Sequence, residues 1–464
     1  MFLSSWFPRS PARQHKYRPR PPGSPRARRS GTHLFLEQLE ERSLLSNYSA
    51  ATVSDLIADI NAANSAGGTN TITLTALTTS PYVLTAVDNS TDGPTGLPVI
   101  SGGGNKVAAD NLTIVGNGDA VERSTVSGTP AFRLFDVASG ASLTLENLTL
   151  QNGLEDGSGN AAEGGAVYNQ GTLVLSGVTV QDNIARGSAG TVQNGSGKSA
   201  VPGNDAQGGG IWSNGSLTAE NGTLIQNNQA IGGNGFFAEA GPNNSNRVAS
   251  SNGGNGWGGG LYVSGGTVTL TGSTVNNNTA QGGASGELNI ESAANGGNGY
   301  GGGVCVAGGT VTLSSDTVDG NQAVGGADNT TFSLSFGGNG YGGGVYMAGG
   351  TETLSSDIVD SNQAVGGAIG VTGAVNRSSG SGYGGGLYVA GGTVTLCSDT
   401  VQSNAAKGGA VLNGTLPTSG QGFGGGLYIA AKAKQVSIDM ATVITNNTAN
   451  TDQNIDGSYT LPNC

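Results

Sequence analysis

One stretch of this chain recurs. GGGVCVAGGTVTLSSDTVDGNQAVGG, residues 301–326, returns as GGGVYMAGGTETLSSDIVDSNQAVGG at 342–367 and GGGLYVAGGTVTLCSDTVQSNAAKGG at 384–409. A fourth copy, GGGLYVSGGTVTLTGSTVNNNTAQGG, occupies 258–283, and looser copies start at Gly164, Gly208 and Gly424. The starts are 44, 50, 43, 41, 42 and 40 residues apart. A long period built from strand-like segments implies a stacked architecture, because one copy cannot bury its own apolar side. Three such segments stand out in the 301 copy, Val304–Val306, Thr310–Leu313 and Thr317–Val318, alternating and β-branched. Three strands and three bends suit one turn of a parallel β-helix, with Val304, Val306, Val311, Leu313 and Val318 pointing inward.

Each copy is preceded by a glycine cluster: GNGWGGG at 254–260, GNGYGGG at 297–303 and 338–344, SGYGGG at 381–386, QGFGGG at 421–426. The pattern G-x-G-x-x-G suggests a phosphate loop, but that loop needs a helix behind it so that free amides face the anion. Strand-forming residues follow here instead. A glycine-rich calcium repeat also fails, since its Asp position is Gly258, Gly301 or Gly342 and the copies lie about forty residues apart rather than nine. The clusters read as hinges that return the chain from variable loops. Those loops are 236–252, 284–295, 327–336, 368–380 and 410–421, all entering at one corner, where they would stack into a wall.

Asn183, Asn228, Asn278, Asn321, Asn362, Asn404 and Asn447 share one position in seven copies. An amide offers both donor and acceptor, so rungs about 4.8 Å apart can be joined by an asparagine ladder. Before the repeats, 51–66 reads as an amphipathic helix capped by Thr52 and Asp55, with Val53, Leu56, Ile57 and Ile60 on one face, suited to closing the solenoid's end. Irregular strands follow from 70 to 153. The expected organisation is a leader (1–46), a cap with irregular coils (47–160), repeats (161–450) and a tail (451–464).

Charge separates leader from body. Residues 1–46 hold nine Lys/Arg and three Asp/Glu, which leaves 10 basic and 28 acidic residues beyond them, a net of −18. Such a body repels nucleic acid and anionic membranes. Both histidines, His15 and His33, lie in the leader, so the body has no His for a catalytic pair or a zinc site. No stretch has the roughly twenty apolar residues of a membrane span. Cys305 and Cys397 lie two copies apart, too far to bridge; Cys464 reads as a free terminal thiol or an intermolecular link.

Two motifs carry a family resemblance. LEQLEERSLLS at 36–46 resembles the LEPR-XLL leader of large secreted planctomycete proteins, with Gln38 in place of the family's Pro. It implies export to the exterior. GGAVYN at 164–169, GGGLY at 258–262 and the asparagine column resemble the right-handed parallel β-helix repeats of chlamydial polymorphic outer-membrane proteins, although Val or Ile replaces the family's Phe before the Asn. The resemblance spans roughly 160–450 and implies an all-β, right-handed, pectin-lyase-like solenoid of a secreted or surface protein, structural or adhesive, with extracellular polysaccharide or surface proteins as partners.

Three sets of side chains are candidates for chemistry. Trp257, Tyr300, Tyr341, Tyr383 and Phe423 form one aromatic column; Tyr168, Trp212, Tyr262, Tyr346, Tyr388 and Tyr428 form another, interrupted by Cys305. The second lies between inward aliphatics and is expected to face outward. Open rings would make a sugar platform, whereas rings stacked beneath the loops would serve packing. Asp316, Asp357 and Asp399, with Asp319 and Asp360, form carboxylate columns whose repulsion calcium would relieve; the alternative is carboxylates bonded to backbone at turns. No other cofactor is implied. Because this fold class also hosts polysaccharide lyases, such an enzyme is the alternative function. Its base would come from Arg123, Arg133, Arg186, Arg247, Arg377 or five lysines, none of which sits in a recognisable constellation.

Overall fold

The structure, a computed structural model, describes residues 46–77, 80–101, 110–157, 159–192, 200–236, 250–286, 294–329, 335–370, 377–412 and 419–461. Of the leader motif only Ser46 is included, as the first residue of the first strand, Ser46–Ala50. The tips of the variable loops lie outside the described residues.

The chain winds as a parallel β-helix. One coil carries five short strands: Gly299–Tyr300, Val304–Val306, Thr310–Ser314, Thr317–Asp319 and Gln322–Val324. Each pairs in parallel with the same position one coil on. The result is five long sheets, numbered 1 to 5 in that order, with seven, nine, eleven, ten and seven strands. Three strands per coil were expected, and the two additional ones have a physical reason for being missed. Gly299–Tyr300 carries one side chain, and Gln322–Val324 turns only Ala323 inward, so neither shows large apolar residues in alternation. The small side chains suit their place, since Ala162, Ala185, Ala206 and Ala230 form a separate narrow core between sheets 5 and 1.

The main interior matches the alternation of the repeat. Val304, Val306, Val311, Leu313 and Val318 are all buried, and the equivalent residues of other coils continue the same core. Full burial of each such side chain contributes roughly 1.5–3 kcal/mol, set against the entropy of ordering the chain. Sheet 3 takes in the N-terminal segments too, through Ser46–Ala50, Gly68–Leu74, Asp110–Val115 and Ser142–Glu146. The helix Val53–Ala66 packs Leu56, Ile60 and Ala63 into the first coils, and its Thr52–Asp55 capping box is formed. At the other end, residues 451–461 continue winding rather than trailing away: Ile455–Asp456 pairs with Leu427–Tyr428, and Thr460 with Ser437.

The loop bases explain the glycines. Gly326 N–H donates to Gly297 O (2.7 Å), Gly338 N–H to Gly326 O (2.9 Å), Gly367 N–H to Gly338 O (2.7 Å) and Gly380 N–H to Gly367 O (2.9 Å). The zipper alternates between the outgoing and returning limbs of successive loops, so bare backbone packs on bare backbone. At the other end of GNGYGGG the need is conformational: Gly342 has φ +61°, and an added Cβ would lie 2.1 Å from Val345 O.

The seven asparagines stand in one buried column at a corner. Asn278 Nδ2 donates to Asn321 Oδ1 (3.0 Å), and Asn321 Nδ2 donates to Asn362 Oδ1 (2.9 Å) and Val275 O (2.8 Å). The preceding residues Asn277, Gly320, Ser361 and Ser403 are left-handed, which sharpens the corner and explains their short side chains. Asn321→Ala removes the acceptor of the Asn278 main-chain N–H and of one Asn278 amide proton, whose other proton stays on Ile225 O, and takes the side-chain donor from Val275 O. At about 1–3 kcal/mol per buried unpaired group, we expect a loss of roughly 2–4 kcal/mol by urea denaturation. A loss below 1 kcal/mol would show that the corner is held by something else.

Candidate functional site

The aromatic columns lie on sheets 1 and 2, where the returning limb rejoins the coil. Trp257, Tyr300, Tyr341, Tyr383 and Phe423 are in register and stack face to face, with centroids 3.8, 5.0, 5.2 and 5.0 Å apart. Tyr346, Tyr388 and Tyr428 stack at 5.3 and 5.0 Å, and Tyr168 on Trp212 at 4.4 Å. The two columns meet edge to face, as in Tyr341 on Tyr388 (5.1 Å) and Tyr383 on Tyr428 (5.3 Å). Cys305 leaves a gap beside Tyr262, and the Tyr346 ring tilts toward Tyr300 across it, 4.9 Å away.

Polar tips are tied down as well. Asn298 Nδ2 donates to Tyr300 OH (2.9 Å), Asn339 Nδ2 to Tyr341 OH (2.8 Å) and Trp257 Nε1 to Asp205 Oδ2 (3.0 Å). Burial pushes the hydroxyls of Tyr262, Tyr300, Tyr346 and Tyr388 well above the usual tyrosine range. The second column does point away from the aliphatic interior, but it is not open. Tyr168, Trp212 and Tyr346 are buried, while Tyr262, Tyr388 and Tyr428 are half-buried, and rings of the first column lie against Tyr346, Tyr388 and Tyr428. A sugar needs a ring's face, and Tyr388 has both of its faces occupied, by Tyr346 and Tyr428.

Asp316, Asp357 and Asp399 form a second ladder, at the corner between sheets 3 and 4. Asp316 Oδ1 accepts the Ser273 N–H (2.6 Å) of the coil before it, and its Oδ2 accepts the Ser314 N–H (2.8 Å). Asp357 does the same for Asp316 N–H (2.7 Å) and Ser355 N–H (2.8 Å), and Asp399 for Asp357 N–H and Cys397 N–H (both 2.8 Å). Thr442 Oγ1 accepts from Asp399 N–H and ends the run. These amides hold the carboxyls against burial only in part, since burial raises them to about 6, 7 and 6 respectively. Asp319 and Asp360 are neighbours in register on sheet 4 and half-buried. Burial, then Asp360, raises Asp319. Among the described residues no group of three or more His, Cys, Asp or Glu is placed to hold a metal ion.

Three features escaped the sequence reading. Glu352 takes an inward position between Val311 and Val394, fully buried, with Oε1 unpaired; burial, then Asp357, pushes it up to about 8. The copy that contains it, 342–367, otherwise matches its neighbours, which hid the Glu. Near the N-terminal end, Arg133 is buried against Glu155 (3.3 Å), donates to Asp92 O (2.7 Å) and lies 5.0 Å from the Tyr168 ring centre. Asp136 beside it takes a ring's place in the second column, and burial raises it to about 6. Arg377 is buried in an ion pair with Asp328, whose Oδ1 and Oδ2 also accept from Ser285 and Ser335. Two of the arginines that could have served as a lyase base are thus inside ion pairs. Cys305 is free and buried, and Cys397 is disulfide-bonded, a bond the spacing had not suggested. Cys464 and Arg247 lie outside the described residues. No family model, curated protein or solved structure matches this chain.

Proposed function

We propose that the chain is a structural and adhesive rod of the cell exterior, whose repeating residues build the rod and whose variable loops make the contacts. The observation that supports this most is how the repeated positions are used. Asparagine amides, aspartate carboxyls, aromatic faces and loop-base glycines each bind the same position of the neighbouring coil. What differs between copies is the loops, which is where recognition on a rigid scaffold usually sits. The exterior location rests on the LEPR-XLL-like leader, and extracellular polysaccharide is the partner class.

The test uses the purified chain, immobilised and offered acidic polysaccharides with and without calcium. Retention of polysaccharide is expected, with no growth of the ultraviolet absorbance of unsaturated uronate ends. Replacing loop residues 371–376 by Gly and Ser should weaken retention, whereas Tyr341→Ala should lower thermal stability and leave retention intact. Calcium-dependent growth of the absorbance would replace this reading with a lyase.

A further inference from the structure

Sheet 3 differs from the other faces. Its outward residues form three columns: Thr269, Thr312, Thr353 and Thr395 in one, Thr267, Thr310, Thr351 and Thr393 in the one beside it, and Thr271, Ser314, Ser355 and Cys397 in the third, which earlier coils continue through Ser176 and the charged Glu146 and Glu220, all in register from coil to coil. Earlier coils extend the first column through Thr71, Thr113, Thr144 and Thr218, with a break at Val174. Neither threonine column holds a charged residue between Thr69 and Gln435, on a chain whose net charge is −12. Among the described residues, the eight hydroxyls of coils 267–395 make no hydrogen bond within the protein.

Threonine suits strands, and paired threonines stabilise neighbours. That preference alone does not fill two neighbouring columns of one face with it. Sheet 4 has two outward columns, of which one mixes threonine with aliphatics, Leu224, Thr274, Thr317, Ile358 and Thr400, and the other, Gln226, Asn276, Asp319, Asp360 and Gln402, carries charge and amides. In the coils from Thr267 to Cys397, sheet 3 instead presents a neutral grid of hydroxyl and methyl groups. Its spacing is about 4.8 Å across the rungs and about 6.7 Å along the strand. The interior columns hold it in register, so binding requires little ordering of the protein. Each hydroxyl contact is weak, and only a partner that repeats on the same lengths can engage many at once. The absence of charge favours a neutral partner. Water molecules in ice repeat along two directions on these length scales, and each offers both a donor and an acceptor.

We propose that the threonine face of sheet 3 is an ice-binding surface, its hydroxyls and methyls ordering water into a layer continuous with the crystal. This is separate from recognition by the loops.

The experiment grows ice slowly from a solution of the full chain and measures how much protein enters the ice, beside a non-binding protein of similar mass. Uptake of this chain into the ice, and faceting of single ice crystals, are expected. Thr312→Lys, at the centre of the grid, should abolish both. Gln322→Lys, exposed on sheet 5 of the same coil, should leave them unchanged, with circular dichroism confirming the fold of each. Should Thr312→Lys not fold, Thr310→Lys at the more exposed column gives the same reading. Exclusion of the wild-type chain from ice, or equal loss with Gln322→Lys, overturns the proposal. So does retention on crystalline cellulose or chitin through Thr312 without uptake into ice, which would make the face a polysaccharide surface.

Discussion

Raising the pH from about 4 to about 9 should destabilise this protein rather than stabilise it. The groups responsible are Glu352 and the ladder Asp316, Asp357 and Asp399. Burial raises their carboxyls from the ordinary 4.5 and 3.8 to about 8 for Glu352 and about 6, 7 and 6 for the aspartates. A carboxyl that holds its proton more tightly when folded contributes stability fully present below its unfolded value and lost as pH rises through its folded one. The loss should therefore begin near pH 4, run through the aspartates between 6 and 7, and finish near 8, where Glu352 ionises. At about 1.4 kcal/mol per pH unit, Glu352 alone accounts for roughly 5 kcal/mol. Glu352→Val restores the side chain of the adjacent coils, Val311 and Val394. It should stabilise the protein by several kcal/mol at pH 8 and by much less at pH 4.5, leaving the shallower slope of the aspartates. Urea midpoints across this range measure both. A wild-type midpoint that is flat or rises with pH would show that Glu352 has found a partner or water.

Gly338→Ala should be nearly as costly, and for a different reason. The backbone at Gly338 is not left-handed, so the issue is space alone. The added Cβ would sit 1.8 Å from Gly297 O and 2.6 Å from its carbonyl carbon. Both are main chain, so no side chain can swing aside. Moving the limb breaks the bonds to Gly326 and Gly367 and shifts the loops on either side. Overpacking usually costs about 1–3 kcal/mol; with backbone on both sides we expect about 4 or more. Gly370 is the control, since an added Cβ there meets nothing within 4 Å and its φ is unremarkable. Gly370→Ala should be neutral or slightly stabilising. Equal melting temperatures for the two variants would mean that the glycine zipper opens freely.

These two residues also mark what could be read before the fold was known. A column such as Asn321 is visible because stacking forces equal spacing in the sequence. The inward valines are visible because large apolar residues alternate with polar ones. The glycine zipper was less so: GNGYGGG could be placed as a hinge, but the close approach of Gly338 to Gly297 joins residues of different loops. Strand Gln322–Val324 passed unnoticed because its one inward residue is an alanine. At the aromatic columns, alternation set the direction of Tyr346 correctly and could not show that another column covers it. Glu352 lay hidden for the opposite reason: its neighbours made the segment look ordinary.

The asparagine column has a direction. One proton of every side-chain amide donates toward the C-terminal coil, from Asn183 to Asn228 and onward to Asn447, and every main-chain N–H of the column does the same, while the other amide proton holds a main-chain carbonyl of the coil before. A partly wound solenoid thus always shows two unmet donors at its most recent coil. The next coil to arrive answers both with one carbonyl oxygen, and Asn454 finally does so for Asn447. The column gives the solenoid a chemical polarity from its first coils to its last. A chain delivered in order from its N-terminus could wind coil by coil, each turn templating the next.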